Sequence, residues 1–163
     1  MTHYMGIDPG TSGSIAIAYD ESPEVTTHKM PDTLDGLQSL LATYQEDLAF
    51  CLIERIHAFP FDPTKNRVIK LGFDKLQKQS GMILATAALI LGSDRVQEVV
   101  PRKWQRAMFC LTGGDKTITL NRAKELYPAM NIHHWNADGI LIAAYCQRLH
   151  GPKNSILKDW RGV

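Results

Sequence analysis

Two apolar segments that each end on an acidic residue constrain the fold more than any other feature of this chain. Residues 4–7 lead into Asp8, and residues 50–53 lead into Glu54. A continuous apolar strand such as the second is typical of the inner strands of a parallel sheet, which helices cover on both faces. A Pro-Gly pair follows Asp8 at once and marks a tight turn. The sequence therefore predicts that both acids lie at the rim of a sheet.

The remaining elements complete an α/β pattern. Alternating residues predict strands over residues 14–19 and 25–30, so the chain begins with three antiparallel strands. The other predicted elements, in chain order, are a helix capped by Asp32 or Thr33, the strand ending at Glu54, a helix over residues 75–91, a strand over residues 96–100, and helices that start at Pro101, after Asp115 and near Asn136. This order predicts an α/β fold with a central mixed five-stranded sheet, three antiparallel strands followed by parallel ones, flanked by helices.

Length and composition fit a single folded domain. The 163 residues are 44% apolar and 21% charged, with a net charge of +1, which is ordinary for a globular protein. We expect one domain over residues 1–150 and a flexible tail over residues 151–163. The longest apolar run, residues 82–91, is shorter than the roughly 20 residues that span a bilayer, so no membrane partner is expected. Cysteines without a CxxC spacing indicate a reducing, cytoplasmic compartment.

A third acid, Asp138, is predicted in the first turn of the last helix, where the helix dipole favours an ionised carboxylate. With Asp8 and Glu54 it makes three acids at element ends that are far apart in the sequence. Mg²⁺ binds such carboxylate oxygens together with water and substrate phosphate. Taken alone, each acid is more simply explained as a solvated turn residue or a helix cap. Periodicity does not show that the three converge.

Four segments of the chain, in their order, resemble the motifs of one known nuclease family. They are residues 5–14 (MGIDPGTSGS), residues 52–57, residues 69–72 with the helix from Gly81, and residues 137–143. These resemble the opening, the second acidic motif, the junction-contacting helix and the closing helix of the RuvC-type Holliday-junction resolvases. The resemblance spans residues 4–150. Trp104, residues 112–114 and the His133-His134 pair are more similar to the shorter, phage-like members.

The resemblance implies a fold and an activity. The fold of that family is ribonuclease H-like, and its members nick four-way DNA junctions symmetrically as homodimers. Their products carry 5′-phosphate and 3′-hydroxyl ends. We therefore expect branched DNA and a second copy of the chain as partners. A location at the nucleoid is expected, or in the host cytoplasm if a phage encodes the chain.

The resemblance also implies roles for individual residues. By position, Asp8, Glu54 and Asp138 become the ligands of two Mg²⁺ ions, for which Mn²⁺ is expected to substitute. The family usually has a fourth ligand three residues before the last acid, where this chain has a tryptophan, so the preceding His134 is our candidate. Lys116 resembles a lysine that the family places near the scissile phosphate. A lone histidine or lysine at such a place is equally consistent with a surface residue.

The segment after Glu54 is the candidate DNA-binding surface. Five cations lie within fourteen residues, with only Asp74 opposing them: Lys65, Arg67, Lys70, Lys75 and Lys78. Such a local excess suits the phosphate backbone, although a lysine-rich helix face is often only solvated. Phe59 and Phe61, in a proline-rich loop, are candidates to stack on unpaired bases at a junction centre. The apolar residues 82–91 are explained by core burial or by a dimer interface.

Other functions share parts of this pattern. A sugar-kinase or actin-like ATPase also opens with Gly-Ile-Asp-x-Gly-Thr, but that fold needs two such domains and 163 residues are too few. A nuclease of the same fold that cleaves RNA–DNA hybrids or DNA flaps remains open. So does a junction-binding protein without catalytic activity. Assays with different substrates, with and without Mg²⁺, separate these possibilities.

Overall fold

The computed structural model describes residues 1–10, 12–20, 22–56 and 67–152, with the side chains of the long second helix described from Asp74 onward. Its elements, in chain order, are β1 (His3–Asp8), β2 (Ser14–Tyr19), β3 (Ser22–Lys29), α1 (Leu34–Tyr44), β4 (Leu48–Glu54), α2 (Arg67–Leu91), β5 (Val96–Val99), α3 (Pro101–Ala107), α4 (Lys116–Leu126) and α5 (His134–His150). None of the described helices is long and apolar enough to cross a membrane.

The sheet has the strand order β3-β2-β1-β4-β5. The β1–β2 and β2–β3 pairs are antiparallel, whereas β1–β4 and β4–β5 are parallel. This confirms the predicted mixed five-stranded sheet. In the register of the parallel pair, Ile7 lies opposite Ile53. The next residue of each strand, Asp8 and Glu54, therefore lies at the same edge of the sheet.

Each face of the sheet is covered by a separate apolar core. Tyr4 and Leu52 point to the side on which α5 packs, while Met5 and Ile53 point to the side of α1 and α2. The alternation follows from the two-residue period of a strand. The two faces explain why residues 4–7 of β1 and 48–53 of β4 are apolar, as expected for strands that are covered on both sides.

Two glycines allow α5 to approach the sheet closely. A Cβ atom built on Gly6 would lie 2.6 Å from the carbonyl oxygen of Gly139 and 2.7 Å from the carbonyl carbon of Ile142, both backbone atoms of α5. A Cβ atom on Gly139 would collide with the Ser14 side chain of β2. Close packing of an interior leaves no space for even one extra methyl group. The glycines therefore fix the position of the helix that carries Asp138.

Two helix N-caps lie where the sequence predicts them. The Gly36 N–H donates to Thr33 Oγ1 over 3.1 Å at the start of α1. The Thr117 N–H donates to Asp115 Oδ1 over 2.8 Å at the start of α4. Side-chain acceptors at this position satisfy backbone donors that the helix itself leaves unpaired.

Three predicted boundaries are wrong. The α2 helix starts at Arg67 rather than at residue 75, and it continues through Gly72, because a cooperative helix tolerates one weak residue. The third strand starts at Ser22 rather than residue 25, since Tyr19 pairs directly with Ser22. Helix α5 starts at His134 rather than near Asn136. Asn136 instead accepts a hydrogen bond from the His133 N–H over 2.8 Å.

The corrected start of α5 changes the position of one acid. Asp138 is the fifth residue of the helix and so lies in its second turn, not in the first as predicted. The influence of the helix dipole decreases sharply beyond the first turn. The helix dipole therefore has less influence on Asp138 than the predicted first-turn position implied.

Candidate active site

Three acidic side chains from three elements meet at one edge of the sheet. Asp8 ends β1 and Glu54 ends the neighbouring parallel strand β4. Asp138 precedes Gly139 on α5, and Gly139 packs against Ser14, the residue directly opposite Asp8 in the β1–β2 register. The chain thus brings acids from its beginning, middle and end together, which its periodicity did not show.

The charges of these acids act on one another. The pKa of Asp8 is raised to about 6, mainly by burial and then by the charge of Asp138, against an opposing effect of Lys116. The pKa of Glu54 is raised to about 7, mainly by burial and then by the charges of Asp8 and Asp138, while the Trp104 hydrogen bond and Lys116 act in the opposite direction. Loss of solvent and a like charge nearby both disfavour an ionised carboxylate. The edge therefore has a surplus of negative charge that a cation would offset.

The donor set fits a hard divalent cation. Asp138 Oδ1 and the neighbouring Ser14 Oγ are both buried and have no hydrogen-bond partner among the described residues, and an unpaired buried oxygen is costly. Among the described residues, no group of three or more His, Cys, Asp or Glu side chains is placed so that it could hold a metal ion as it stands. Mg²⁺ itself needs only one or two carboxylates and retains water and phosphate ligands. An open carboxylate edge suits that coordination.

Lys116 and His134 occupy different positions relative to the acids. Lys116 is the exposed first residue of α4, and its charge lowers the pKa of both Asp8 and Glu54. His134 is the exposed first residue of α5. Its charge acts on Asp115, whose pKa is lowered first by hydrogen bonds from Thr117 and then by His134. The assignment of His134 as a fourth ligand stays a prediction.

Trp104, which the sequence reasoning did not place near the acids, contacts one of them. It lies on α3, has no solvent-exposed surface, and donates its indole N–H to Glu54 Oε2 over 2.7 Å. One signal was available, because α3 follows directly after β5, the strand that pairs Val99 with Glu54. A tryptophan placed there has its polar nitrogen within reach of the end of β4.

The predicted DNA-binding residues are only partly described. Lys75 and Lys78 are exposed on α2, and the opposing Asp74 is exposed beside them. Lys65, Phe59 and Phe61 lie outside the described residues, as do residues 153–163 of the predicted tail. For Arg67 and Lys70, the helical backbone is described but the side chains are not.

A second set of cations was missed by the sequence reasoning. Arg102, Lys103 and Arg106 are exposed on α3, the helix whose buried face carries Trp104. No acidic residue accompanies them within α3. The helix has only seven residues, and its cations could not be distinguished by sequence from those of an ordinary solvated helix.

The apolar half of α2 has both a buried and an exposed face. Ile83, Ala87 and Leu91 lie in the core, whereas Met82 is 54% exposed and Leu89 is 79% exposed. Core burial therefore does not account for the three exposed residues of this segment, Met82, Ala85 and Leu89. A depression of about 620 Å³ beside Met82 is lined by residues of α2 and of the loop after β3, and none of the three acids contributes to it.

We use the term α2 stripe for the exposed residues Met82, Ala85 and Leu89, which the spacing of three and then four residues places on one side of the helix. Exposed apolar residues in a row mark an interaction surface more often than scattered ones do. The stripe is the surface on which the prediction of a dimer now depends.

Comparisons with known proteins identify the fold. No protein-family model matches the sequence, and no curated protein does either. A structure of Thermus thermophilus RuvC in complex with a Holliday junction substrate is 13% identical, with a TM-score of 0.59 over 93% of this chain and 98% of that one. A second Thermus thermophilus RuvC structure is also 13% identical, with a TM-score of 0.58 over 89% of this chain and 95% of that one. The chain has the mixed α/β, ribonuclease H-like fold of these RuvC structures.

Proposed function

We propose that this protein is a divalent-metal-dependent endonuclease that nicks branched DNA, with four-way junctions as its preferred substrate. The proposal depends most on one observation, that Asp8, Glu54 and Asp138 lie at the same sheet edge. The pKa values of the first two are raised, and the third has a buried oxygen with no hydrogen-bond partner among the described residues. The similar fold of a RuvC that was solved with a Holliday junction substrate supports the choice of substrate.

Each acid has a place in the proposed chemistry. Asp8, at the end of the central strand, would hold the two Mg²⁺ ions together with Glu54 and Asp138, and His134 is a candidate further ligand. Bound Mg²⁺ or Mn²⁺ would supply an activated water and stabilise the leaving 3′ oxygen. The products would carry 5′-phosphate and 3′-hydroxyl ends. The acids need to be ionised to bind the cations, which their surroundings oppose until the cations are present.

Lys116 is proposed to hold the scissile phosphate. It stands at the first position of α4, where free backbone N–H groups and the positive end of the helix dipole favour an anion. Its charge already acts on Asp8 and Glu54, so a phosphate bound there would be next to the acids. Orientation of the substrate phosphate is a large part of catalysis in phosphodiester cleavage.

The DNA arms are proposed to bind on two helices. The exposed Lys75 and Lys78 of α2 form one surface, extended along the chain by Lys65, Arg67 and Lys70. The exposed cations of α3 form another, on the helix that contacts Glu54 through Trp104. Phe59 and Phe61 are proposed to stack on bases at the junction centre. Phosphate contacts would provide affinity without reading sequence.

The active form is proposed to be a homodimer that pairs through the α2 stripe. A surface on one helix can pair with itself about a twofold axis, which is the geometry of a closed dimer. Met82 and Leu89 would then lose the solvent exposure that they have in the single chain. Two active sites related by a twofold axis match the symmetry of a four-way junction and account for paired nicks.

A panel of labelled substrates tests this function. Four-way junctions, flaps, RNA–DNA hybrids and linear duplexes are incubated with the parent protein and with Asp8→Asn, with and without Mg²⁺. We expect Mg²⁺-dependent paired nicks in the four-way junction, and Asp8→Asn should bind the junction without cutting it. Preferred cutting of the hybrid or the flap would identify a different nuclease of the same fold. Junction binding with no cutting of any substrate would indicate a non-catalytic binding protein.

A further inference from the structure

Trp104 connects α3 to the candidate active site through one hydrogen bond. The indole N–H donates to Glu54 Oε2 over 2.7 Å. The bond joins residues that are fifty positions apart in the sequence, so it depends on the tertiary fold. A tryptophan nitrogen is a donor only and needs an acceptor when it is buried. Here the acceptor is a carboxylate of the metal site.

The indole ring itself is held firmly. Trp104 has no exposed surface and belongs to the apolar cluster that also contains Met108, Leu52 and Ala137. Its backbone carbonyl accepts from the Met108 N–H over 2.8 Å. A side chain fixed by close packing on every side has few alternative rotamers. The direction of its N–H is therefore set before any ligand binds.

The hydrogen bond occupies only one oxygen of Glu54. A carboxylate offers about four lone-pair positions, and a bond from a neutral N–H to a charged oxygen is among the stronger kinds. The indole thus orients the carboxylate through Oε2 and leaves the other oxygen for a cation.

We infer that Trp104 is a positioning residue that fixes the Glu54 carboxylate in its orientation for binding a divalent cation. The inference rests on the proposed function, because it assigns Glu54 to a metal site. It is independent of the DNA substrate. Partners of this kind, which bind the ligand rather than the metal, commonly change metal affinity by about 10- to 100-fold when they are removed.

The test measures Mn²⁺ binding without DNA. Free Mn²⁺ gives an electron paramagnetic resonance signal that decreases on binding, and the dissociation constant is compared for the parent, Trp104→Phe and Met108→Ala. Trp104→Phe keeps a ring but removes the donor. Met108→Ala makes a cavity in the same apolar cluster and serves as the matched control for lost stability. Thermal unfolding in EDTA measures the stability of each variant.

We expect Trp104→Phe to weaken Mn²⁺ binding by about 10- to 100-fold, and Met108→Ala to bind as the parent does despite its lower stability. In a Glu54→Gln background, Trp104→Phe should cause no further loss, since the bonded carboxylate is already gone. Equal Mn²⁺ affinity of the parent and Trp104→Phe would overturn the inference. An equal loss of Mn²⁺ affinity in Met108→Ala would overturn it too, because the effect would then come from disturbed packing of the apolar cluster and not from the missing N–H donor.

A second variant covers the case in which Trp104→Phe does not fold. With Trp135 and Trp160 changed to Phe, 3-benzothienylalanine replaces only Trp104 and keeps the indole shape with sulfur in place of the N–H. A loss of Mn²⁺ affinity relative to the same double-Phe protein with an ordinary Trp104 supports the inference, and an unchanged Mn²⁺ affinity overturns it. If the parent binds no Mn²⁺, the proposed metal site fails and the inference with it. If the parent binds Mn²⁺ and the change at Trp104 has no effect on that binding, the inference is rejected but the proposed metal site is not.

Discussion

Asp8→Asn should make the metal-free protein more stable while it abolishes nicking. Burial and the charge of Asp138 raise the pKa of Asp8 from its ordinary value of 3.8 to about 6 in the folded protein. Each unit of such a difference corresponds to about 1.36 kcal/mol. Ionised Asp8 therefore lowers the free energy of unfolding by roughly 3 kcal/mol at pH 8, and the uncharged amide removes that penalty.

The effect has a defined dependence on pH. Because the folded-state pKa of Asp8 lies above the unfolded one, the folded state holds this proton more tightly. The stability that the folded protein gains from holding this proton is fully present below pH 3.8 and is lost as the pH rises through about 6. The part of the Asp8→Asn advantage that comes from Asp8 itself should thus be near zero at pH 3.8, increase up to about pH 6 and change little above it. Asp8→Asn also removes a charge that raises the pKa of Glu54 to about 7, so a smaller further gain is expected as the pH rises through about 7.

The assay is urea unfolding of both proteins in EDTA across this pH range, followed by the same titration at pH 8 with Mg²⁺. Added Mg²⁺ should stabilise the parent by mass action and leave Asp8→Asn almost unchanged. Asp32→Asn, at an exposed carboxylate after β3, is the matched control, and a surface substitution of this kind stays within about 0.5 kcal/mol. The reasoning is refuted if Asp8→Asn is less stable than the parent at pH 8, or if the difference does not change with pH.

Three further experiments test other parts of the structure. Gly6→Ala forces apart the backbones of β1 and α5 and should destabilise the protein by about 1–3 kcal/mol in urea unfolding. The control Gly81→Ala has open space around its Cβ position and should stabilise the protein by about 0.5–1 kcal/mol. Equal effects of the two substitutions would contradict the packing argument. The double variant Lys75→Ala, Lys78→Ala should bind the four-way junction more weakly. The slope of its log binding constant against log salt concentration should flatten by about 0.9 per lost phosphate contact, as measured by fluorescence anisotropy at several salt concentrations. An unchanged slope would mean that the DNA binds elsewhere on the protein. Leu89→Asp should convert a dimer to a folded monomer in light scattering and circular dichroism, and a dimer that persists would exclude the α2 stripe as its interface.

The sheet could be predicted from the sequence because its information is local. Two-residue alternation, apolar runs and turn residues are visible within a few positions of one another. Parallel pairing of β1 with β4 then places Asp8 and Glu54 at one edge by geometry alone. The position of Asp138 could not be derived in this way. It depends on the close approach of α5 to β1 and β2, which two glycines far apart in the sequence allow.

Helix boundaries and side-chain partners needed the tertiary structure. The α5 helix starts two residues earlier than predicted because Asn136 caps it from inside, and apolar periodicity carries no information about such a bond. The α2 segment was correctly seen as too apolar for a solvated helix, but only the structure shows that Leu91 is buried while Leu89 is exposed. The Trp104–Glu54 hydrogen bond likewise joins elements that no local pattern connects.

The environment of the acids separates a metal site from the simpler explanations of each residue. A solvated turn residue would be exposed, and its charge would be screened by water, whereas burial is the largest cause of the raised pKa values of Asp8 and Glu54. A helix cap would accept backbone N–H bonds, whereas Asp138 Oδ1 is buried with no partner among the described residues. The raised pKa values show that the ionised forms of Asp8 and Glu54 are costly in the metal-free protein. The proposed cation, bound between the acids, would offset this cost.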